Sequence, residues 1–328
     1  MRSTARGWAI SVVLAALTVG AAAAPAPAQT GARVARIGVL SPFIGPDSVF
    51  FETLRRRLGE LGYVEGRNAA FVFRAAEDFD HLQTHAREMV RLNVDVIVTA
   101  GPLGVRAARA ATSTIPIVMG NVGDAVSQGF VASLARPGGN VTGLSSLNTE
   151  LSAKRLGLLK EALPGLTRVA VLREAIGDAG PLRATEAAAR TLGLTLAVFQ
   201  VRSADELPSA FAAIATERVG ALEILPGSMF VSQLGRIVEL AATARVPAVY
   251  PDARFVKAGG FMSYGPDIAA QYDRAAQYVD RILRGARPGD LPVEEPTALT
   301  LAVNLPTARA LGMTVPQSVL VRADEIVR

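Results

Sequence analysis

Short runs of aliphatic and β-branched residues alternate with longer helical patterns along the first half of the chain. Residues 36–41 predict a buried strand, after which Phe50, Leu54, Leu58 and Leu61 recur at helical spacing. Similar runs predict further strands at residues 69–73, 95–99, 115–119 and 140–144. Helical patterns separate these strands, and we expect one more helix between Asp124 and Leu134.

The same alternation begins again after residue 147. A helical pattern covers residues 151–163, and strand-like runs follow at residues 168–172, 194–201, 221–225 and 246–250. Strands that alternate with helices of ten or more residues are typical of parallel sheets covered by helices on both faces. Two such series predict an α/β fold with two doubly wound parallel-sheet lobes.

The last quarter of the chain predicts a connection between the lobes. A strand at residues 261–264 precedes a long amphipathic helix, and a proline-rich connector and another strand follow. We expect this part of the chain to cross between the lobes and form a multi-strand hinge. The first lobe then comprises residues 33–147 and about 264–290, and the second lobe comprises residues 148–263 and about 291–328.

Residues 1–28 have the three-part pattern of a secretory signal peptide. Arg2 and Arg6 precede an apolar run that is too short to span a bilayer, which needs roughly 20 residues. Small residues end the segment, and we expect cleavage near Ala28. The chain contains no cysteine, so we expect no disulfide, no thiolate chemistry and no lipid anchor on the mature protein. The prediction is a soluble periplasmic protein.

Charge and motifs argue against several other classes. The net charge is +5, and no basic cluster with interleaved aromatic residues is present, so we expect no nucleic-acid partner. Neither a phosphate-binding loop nor a dinucleotide fingerprint occurs, and we expect no cofactor. His81 and His85 have metal-ligand spacing, but His81 points away from the apolar face of their helix and His85 lies near its margin, so we interpret them as a solvated helix flank and expect no metal.

Several short segments resemble a known family. They include LGELGYVEGRN at residues 58–68, ARPGGNVTG at 135–143 and GGFMSYG at 259–265, and weaker matches continue to residue 326. In this order they resemble the extracytoplasmic solute-binding proteins of ABC transporters that include tryptophan-binding members. The resemblance implies a type I periplasmic binding protein fold, a small-molecule ligand and a membrane ABC permease as partner. We expect the protein to be a monomer.

Ligands of open parallel sheets bind beyond the carboxyl ends of the strands. If the two lobes face each other, the strand ends border one cleft, and several of the loops there precede helices whose free N–H groups favour anions. We therefore expect the ligand to contact residues at these strand ends, and the twelve candidates are Ser41, Pro42, Gly101, Pro102, Asn121, Asp124, Arg173, Glu174, Gly227, Ser228, Tyr250 and Tyr264. The alternative to ligand binding for each candidate is a structural role, in a turn, in a helix cap or at the edge of the core.

The nature of the ligand stays open. Tryptophan-binding relatives are expected to have an acidic residue where this chain has Gly227, Ser228 and Met229, and a carboxylate there could hold an ammonium group. An aromatic or apolar carboxylate is therefore as plausible as an amino acid. We favour an importer's binding protein without enzymatic activity. The alternatives are a ligand sensor for a membrane receptor and a secreted α/β hydrolase, although no nucleophile elbow is complete.

Overall fold

Two sheets organise the protein in a computed structural model that describes residues 34–328. The predicted signal peptide, residues 1–28, lies outside the described residues. The first sheet has five parallel strands in the order β2-β1-β3-β4-β5. Its elements are β1 Ala35–Pro42, α1 Val49–Glu60, β2 Ala69–Ala76, α2 Phe79–Arg91, β3 Val96–Thr99, α3 Gly101–Ala111, β4 Ile117–Val122 and β5 Val141–Ser145.

The second sheet has seven strands in the order β12-β11-β10-β9-β8-β6-β7, and only the β10–β11 pair is antiparallel. Its strands are β6 Arg168–Glu174, β7 Thr195–Val201, β8 Ala221–Ile224, β9 Ala248–Tyr250, β10 Met262–Pro266, β11 Leu299–Asn304 and β12 Glu325–Val327. The helices that follow β5 along the chain are α4 Asn148–Ala162, α5 Gly180–Leu192, α6 Leu207–Thr216, α7 Ser228–Ser232, α8 Leu234–Thr243, α9 Ala253–Lys257, α10 Ile268–Leu283, α11 Leu305–Ala310 and α12 Gln317–Leu320, and of these α10 belongs to the first lobe. The two-lobed α/β prediction is confirmed.

Apolar side chains on both faces of each sheet form the cores. In the first lobe, α1 and α10 pack together over one face, where the rings of Phe50 and Tyr272 lie 4.8 Å apart. The opposite face is covered by α2 and α3. In the second lobe, α4 and α5 cover one face and α6 to α9 the other. No helix within residues 34–328 combines the length and apolar character that a membrane crossing requires.

The chain passes between the lobes three times. The first crossover is residues 146–147, the second is Asp267 between β10 and α10, and the third is residues 295–298 before β11. We call these segments crossovers one, two and three.

Two predicted lobe boundaries are wrong by a few residues. Tyr264 pairs with Leu301 of β11, so residues 264–266 belong to the second sheet and the chain crosses only at Asp267, which caps α10. Leu291 and Val293 are buried in the first lobe, so residues 291–294 do not belong to the second. The hydrophobic pattern does not show at which residue the chain crosses between lobes, because the side chains at these boundaries are buried whichever lobe they belong to.

The helix predicted between Asp124 and Leu134 is also wrong. This segment forms consecutive turns. Asp124 Oδ1 accepts the backbone N–H groups of Val126 and Ser127, both at 3.1 Å, as it would at a helix start. However, Gly129 adopts a φ of 69°, in the left-handed region, and this ends any helical continuation.

Candidate ligand-binding site

A cleft separates the two lobes at the carboxyl ends of their parallel strands. It contains a cavity of about 110 Å³. Both lobes contribute to the wall, as do residues at crossover two. The lining residues include Ala100, Gly101, Pro102, Asn121, Asn148, Glu174, Asp178, Gly227, Ser228, Asp252, Arg254 and Tyr272.

The first lobe contributes the start of α3 and the end of β4. Gly101 follows β3 with a φ of 74°, a left-handed conformation that glycine adopts without strain. The preceding Ala100 makes no side-chain cap, so the first N–H groups of α3 receive no capping bond from it. Asn121 lies at the end of β4, and its amide makes no hydrogen bond within residues 34–328. This wall offers uncharged donors and an acceptor.

The second lobe contributes a carboxylate at the end of β6. Glu174 Oε1 accepts the backbone N–H of Phe230 at 3.1 Å, which places the carboxylate against the first turn of α7. A Cβ atom at Gly227 would lie 2.1 Å from the same oxygen, so only glycine leaves room for it. Burial raises the pKa of Glu174 to about 7, although the N–H groups of Phe230 and Met229 oppose that shift. The carboxyl can therefore ionise near neutral pH.

A bidentate ion pair forms another part of the same wall. Arg254 donates from Nε and Nη2 to the two carboxylate oxygens of Asp252, both at 2.9 Å. Asp252 is 4% exposed and also caps α9 through the N–H of Arg254. The third guanidinium nitrogen, Nη1, makes no hydrogen bond within the described chain. Arg254 thus presents a positively charged donor to the cleft.

The lobes touch each other across the mouth of the cleft. Gln128 Nε2 of the first lobe lies 3.4 Å from Asp178 Oδ2 of the second. A Cβ atom at Gly123 would lie 2.9 Å from that same oxygen, and one at Gly101 would lie 2.6 Å from Ser228 Oγ. The side chain of Phe43 packs against buried clusters of both lobes. Small residues at these contact points allow the close approach.

Half of the predicted site residues line the cavity, and these are Gly101, Pro102, Asn121, Glu174, Gly227 and Ser228. The structure places the other six elsewhere. Ser41 and Pro42 are buried under the first lobe's cleft wall, Asp124 caps a turn, and Arg173 donates to the carbonyl of Glu174. Tyr250 stacks on Phe255 inside the second lobe, and the ring of Tyr264 lies under Lys154.

The prediction missed residues that follow the strand ends by a few positions. Asp178 comes four residues after Glu174, and Asp252 and Arg254 follow Tyr250 closely. Aspartate is a preferred residue at the position directly before a helix. Asp252 could therefore have indicated where α9 begins, and with it the position of this loop. Tyr272 lines the cavity from α10, and nothing local to its sequence indicates a cleft position.

The features considered for other chemistry lie away from the cleft. His81 is an exposed residue of α2, and its Nδ1 lies 2.6 Å from Asp78, the cap of that helix. Ser263, the serine of an incomplete nucleophile elbow at residues 260–265, is fully buried within β10. Across residues 34–328, no group of three or more histidine, aspartate or glutamate side chains is arranged to hold a metal ion.

Comparison with known proteins identifies the class that this fold and cleft define. The family model described as "ABC transporter substrate binding protein" matches residues 46–327. The chain therefore belongs to the ABC transporter substrate-binding protein family, which binds small molecules and is not a family of enzymes. The resemblance noted in the sequence is confirmed.

Three relatives illustrate the range of similarity. A tyrosine-binding protein of Clostridioides difficile strain R20291 is 25% identical over 262 residues, covering 79% of this chain and 75% of its own. An ABC domain from Streptococcus pneumonia in complex with L-Trp superimposes with a TM-score of 0.81 at 25% identity, over 90% of this chain and all of its own. A conserved domain protein from Vibrio cholerae reaches a TM-score of 0.82 at 30% identity, with the same coverage.

Proposed function

We propose that this protein binds an amino acid with an aromatic or other apolar side chain and delivers it to an ABC importer. The observation that carries the proposal is that the carboxylate of Glu174 and the guanidinium of Arg254, whose Nη1 is not used by Asp252, line the same cleft. An ionised Glu174 would accept the ligand's ammonium group, and Arg254 Nη1 together with the N–H groups at the start of α3 would bind its carboxylate. Apolar lining residues such as Leu103 and Ile268 would contact the side chain.

The position of Glu174 supports an amino acid over a simple carboxylate. The loop at residues 227–229 has no acid of its own, and this absence made an amino-acid ligand doubtful. In the folded chain, however, the carboxylate of Glu174 lies directly against that loop, because Gly227 leaves space for it. The negative charge that an ammonium group needs is thus available at the same place. The tyrosine-binding and L-Trp-bound relatives support the same ligand class.

Binding would operate by closure of the lobes. Ligand contacts with both walls form only when the lobes approach each other, so the ligand stabilises the closed form. The permease would then recognise the closed surface. We propose that the protein is exported by the signal peptide, cleaved near Ala28, and acts as a monomer in the periplasm without a lipid anchor. Mass spectrometry of the secreted product would test the cleavage site and the absence of lipid.

A thermal-shift panel tests the ligand class. We expect L-tyrosine, L-tryptophan or L-leucine to raise the melting temperature, since a ligand at 100 times its Kd stabilises a protein by about 2.7 kcal/mol. Each amino acid has two matched controls, the acid without the amino group and the amine without the carboxylate. Neither control should raise the melting temperature at equal concentration. Stabilisation by the deaminated acids alone would contradict the amino-acid assignment.

A further inference from the structure

A tyrosine of the first lobe lines the ligand cleft close to crossover two. Tyr272 lies in the second turn of α10, and Ile268, one turn earlier on the same helix, lines the cavity beside it. Only 4% of the surface of Tyr272 is exposed. Because the residue forms part of the cavity wall, we take this small exposed part to face the cleft.

Packing on two sides fixes the position of the Tyr272 ring. The ring of Phe50, from α1, lies 4.8 Å away between centroids. A Cβ atom at Gly120 would lie 3.3 Å from Cδ1 and 3.4 Å from Cε1 of the tyrosine, so the edge of the ring packs against the backbone of β4. The hydroxyl group at the far end of this ring therefore has a fixed position.

The hydroxyl group of Tyr272 has no hydrogen-bond partner within residues 34–328. Its oxygen is nevertheless accessible, in contrast with the enclosed hydroxyl oxygens of Ser41 and Thr99. The hydroxyl of a buried tyrosine normally finds a partner, and polar groups without one in the protein are bonded to water or to a ligand. Tyr272 thus offers the cleft an uncommitted hydrogen-bond donor.

A second uncommitted donor lies within electrostatic range in the other lobe. Burial raises the pKa of Tyr272 to about 12, the positive charge of Arg254 opposes this increase, and the charge of Asp252 adds to it. The hydroxyl therefore remains protonated at neutral pH. Arg254 lines the same cavity and uses Nε and Nη2 for Asp252, which leaves Nη1 without a partner in the described chain.

We propose that the hydroxyl of Tyr272 and Nη1 of Arg254 together bind the carboxylate of the ligand, so that Tyr272 determines specificity for this group. The inference rests on the amino-acid function proposed above and assigns one end of the ligand. Each carboxylate oxygen accepts one hydrogen bond, the first from Tyr272 and the second from Arg254. Since the two donors belong to different lobes, the bound carboxylate holds the lobes together.

Tyr272→Phe removes the hydroxyl group and retains the packing of the ring. The probes are L-tyrosine and L-leucine, measured by isothermal titration calorimetry at pH 7. We expect the amino acid that binds the wild type to bind Tyr272→Phe at least tenfold more weakly, because a hydrogen bond to a charged group is lost. The melting temperature of the unliganded variant should equal that of the wild type, since the hydroxyl has no protein partner to lose.

Tyr63→Phe is the matched control. It removes a hydroxyl group that donates to Asp280 at 3.0 Å and lies outside the cavity lining, so ligand affinity should not change.

Nuclear magnetic resonance locates the contact on the ligand. With the bound amino acid labelled with ¹³C at the carboxyl carbon, its resonance should differ between the wild type and Tyr272→Phe, whereas a label at the ligand Cβ should give the same resonance in both. A loss of affinity smaller than tenfold, or an unmoved carboxyl resonance, would overturn the role of Tyr272 and leave the amino-acid function intact. Failure of the wild type to bind either amino acid would refute that function and this role together.

Discussion

Glu174, at the end of β6, is hydrogen-bonded to α7 and also has a carboxyl group that can ionise near neutral pH. Its carboxylate accepts the N–H of Phe230, and burial raises its pKa to about 7, from 4.5 in an exposed chain. A carboxyl group whose pKa is raised on folding favours the folded state when protonated. Its contribution to the free energy of unfolding is therefore full below about pH 4.5 and is lost as the pH rises through 7. A bound ammonium group would offset that loss.

Ligand affinity should therefore depend on pH through Glu174. If the ionised carboxylate binds the ammonium group, the affinity for the amino acid falls about fivefold from pH 7 to pH 6 and about tenfold from pH 6 to pH 5, because the ionised fraction falls by these factors. Calorimetric titrations at pH 5, 6, 7 and 8 would measure this slope. Glu174→Gln should bind weakly at every pH and show no slope, while Glu239→Gln, an exposed control, should match the wild type. A wild-type affinity independent of pH would contradict the assigned role.

At the scale of secondary-structure elements, α4 is attached to the second sheet by a fully buried arginine. Arg155 donates from Nε to the carbonyl of Tyr264 at 2.7 Å and from Nη1 to Ser152 Oγ at 3.2 Å. Its Nη2 lies 3.5 Å from the carbonyl of Pro251, which lines the ligand cleft. Burial raises the pKa of Glu223, in β8, and the charge of Arg155 opposes that increase. One side chain thus connects the helix, the strand ends and the cleft wall.

Removing Arg155 alone should destabilise the protein more than removing Arg155 and Glu223 together. Arg155→Met leaves buried carbonyls without a donor and removes the positive charge that acts on Glu223, so we expect a loss of about 1–3 kcal/mol in the free energy of unfolding for each carbonyl. The double variant Arg155→Met, Glu223→Leu should recover at least about 1 kcal/mol of this loss, because no unpaired acid remains. Urea unfolding measures both values. Arg190→Met, at an exposed position of α5, should change stability by less than about 0.5 kcal/mol.

Strands and helices could be predicted wherever the spacing of apolar residues along the chain matches the buried face of the element. Most strands of both sheets are apolar runs, so their existence could be inferred without coordinates, whereas the short, half-buried β12 was not predicted. The residue at which the chain crosses between the lobes could not be inferred, because β10 would be buried in either lobe. The same limit applies to the cleft. Strand ends indicated Glu174, but the approach of Tyr272 depends on how α10 packs against the first sheet.

For the molecule as a whole, the contacts across the cleft determine whether the lobes can close. A Cβ atom added at Gly123 of the first lobe would lie 2.9 Å from Asp178 Oδ2 of the second lobe. Gln128, also of the first lobe, contacts the same carboxylate. A larger side chain at position 123 would separate the lobes without entering the core of either. The open form would then be favoured over the closed form, and the ligand would have to supply the difference in free energy.

Gly123→Val should therefore weaken ligand binding while leaving the stability of the unliganded protein unchanged. A tenfold lower population of the closed form reduces the apparent affinity tenfold, so we expect at least that loss for an amino acid that stabilises the wild type. Small-angle scattering should show a smaller radius of gyration on ligand addition for the wild type and little change for Gly123→Val. Gly165→Val, where a Cβ atom meets no neighbour within 4 Å, is the matched control and should behave as the wild type. If Gly123→Val binds and contracts like the wild type, closure does not bring Gly123 against Asp178, and the contact has no part in ligand binding.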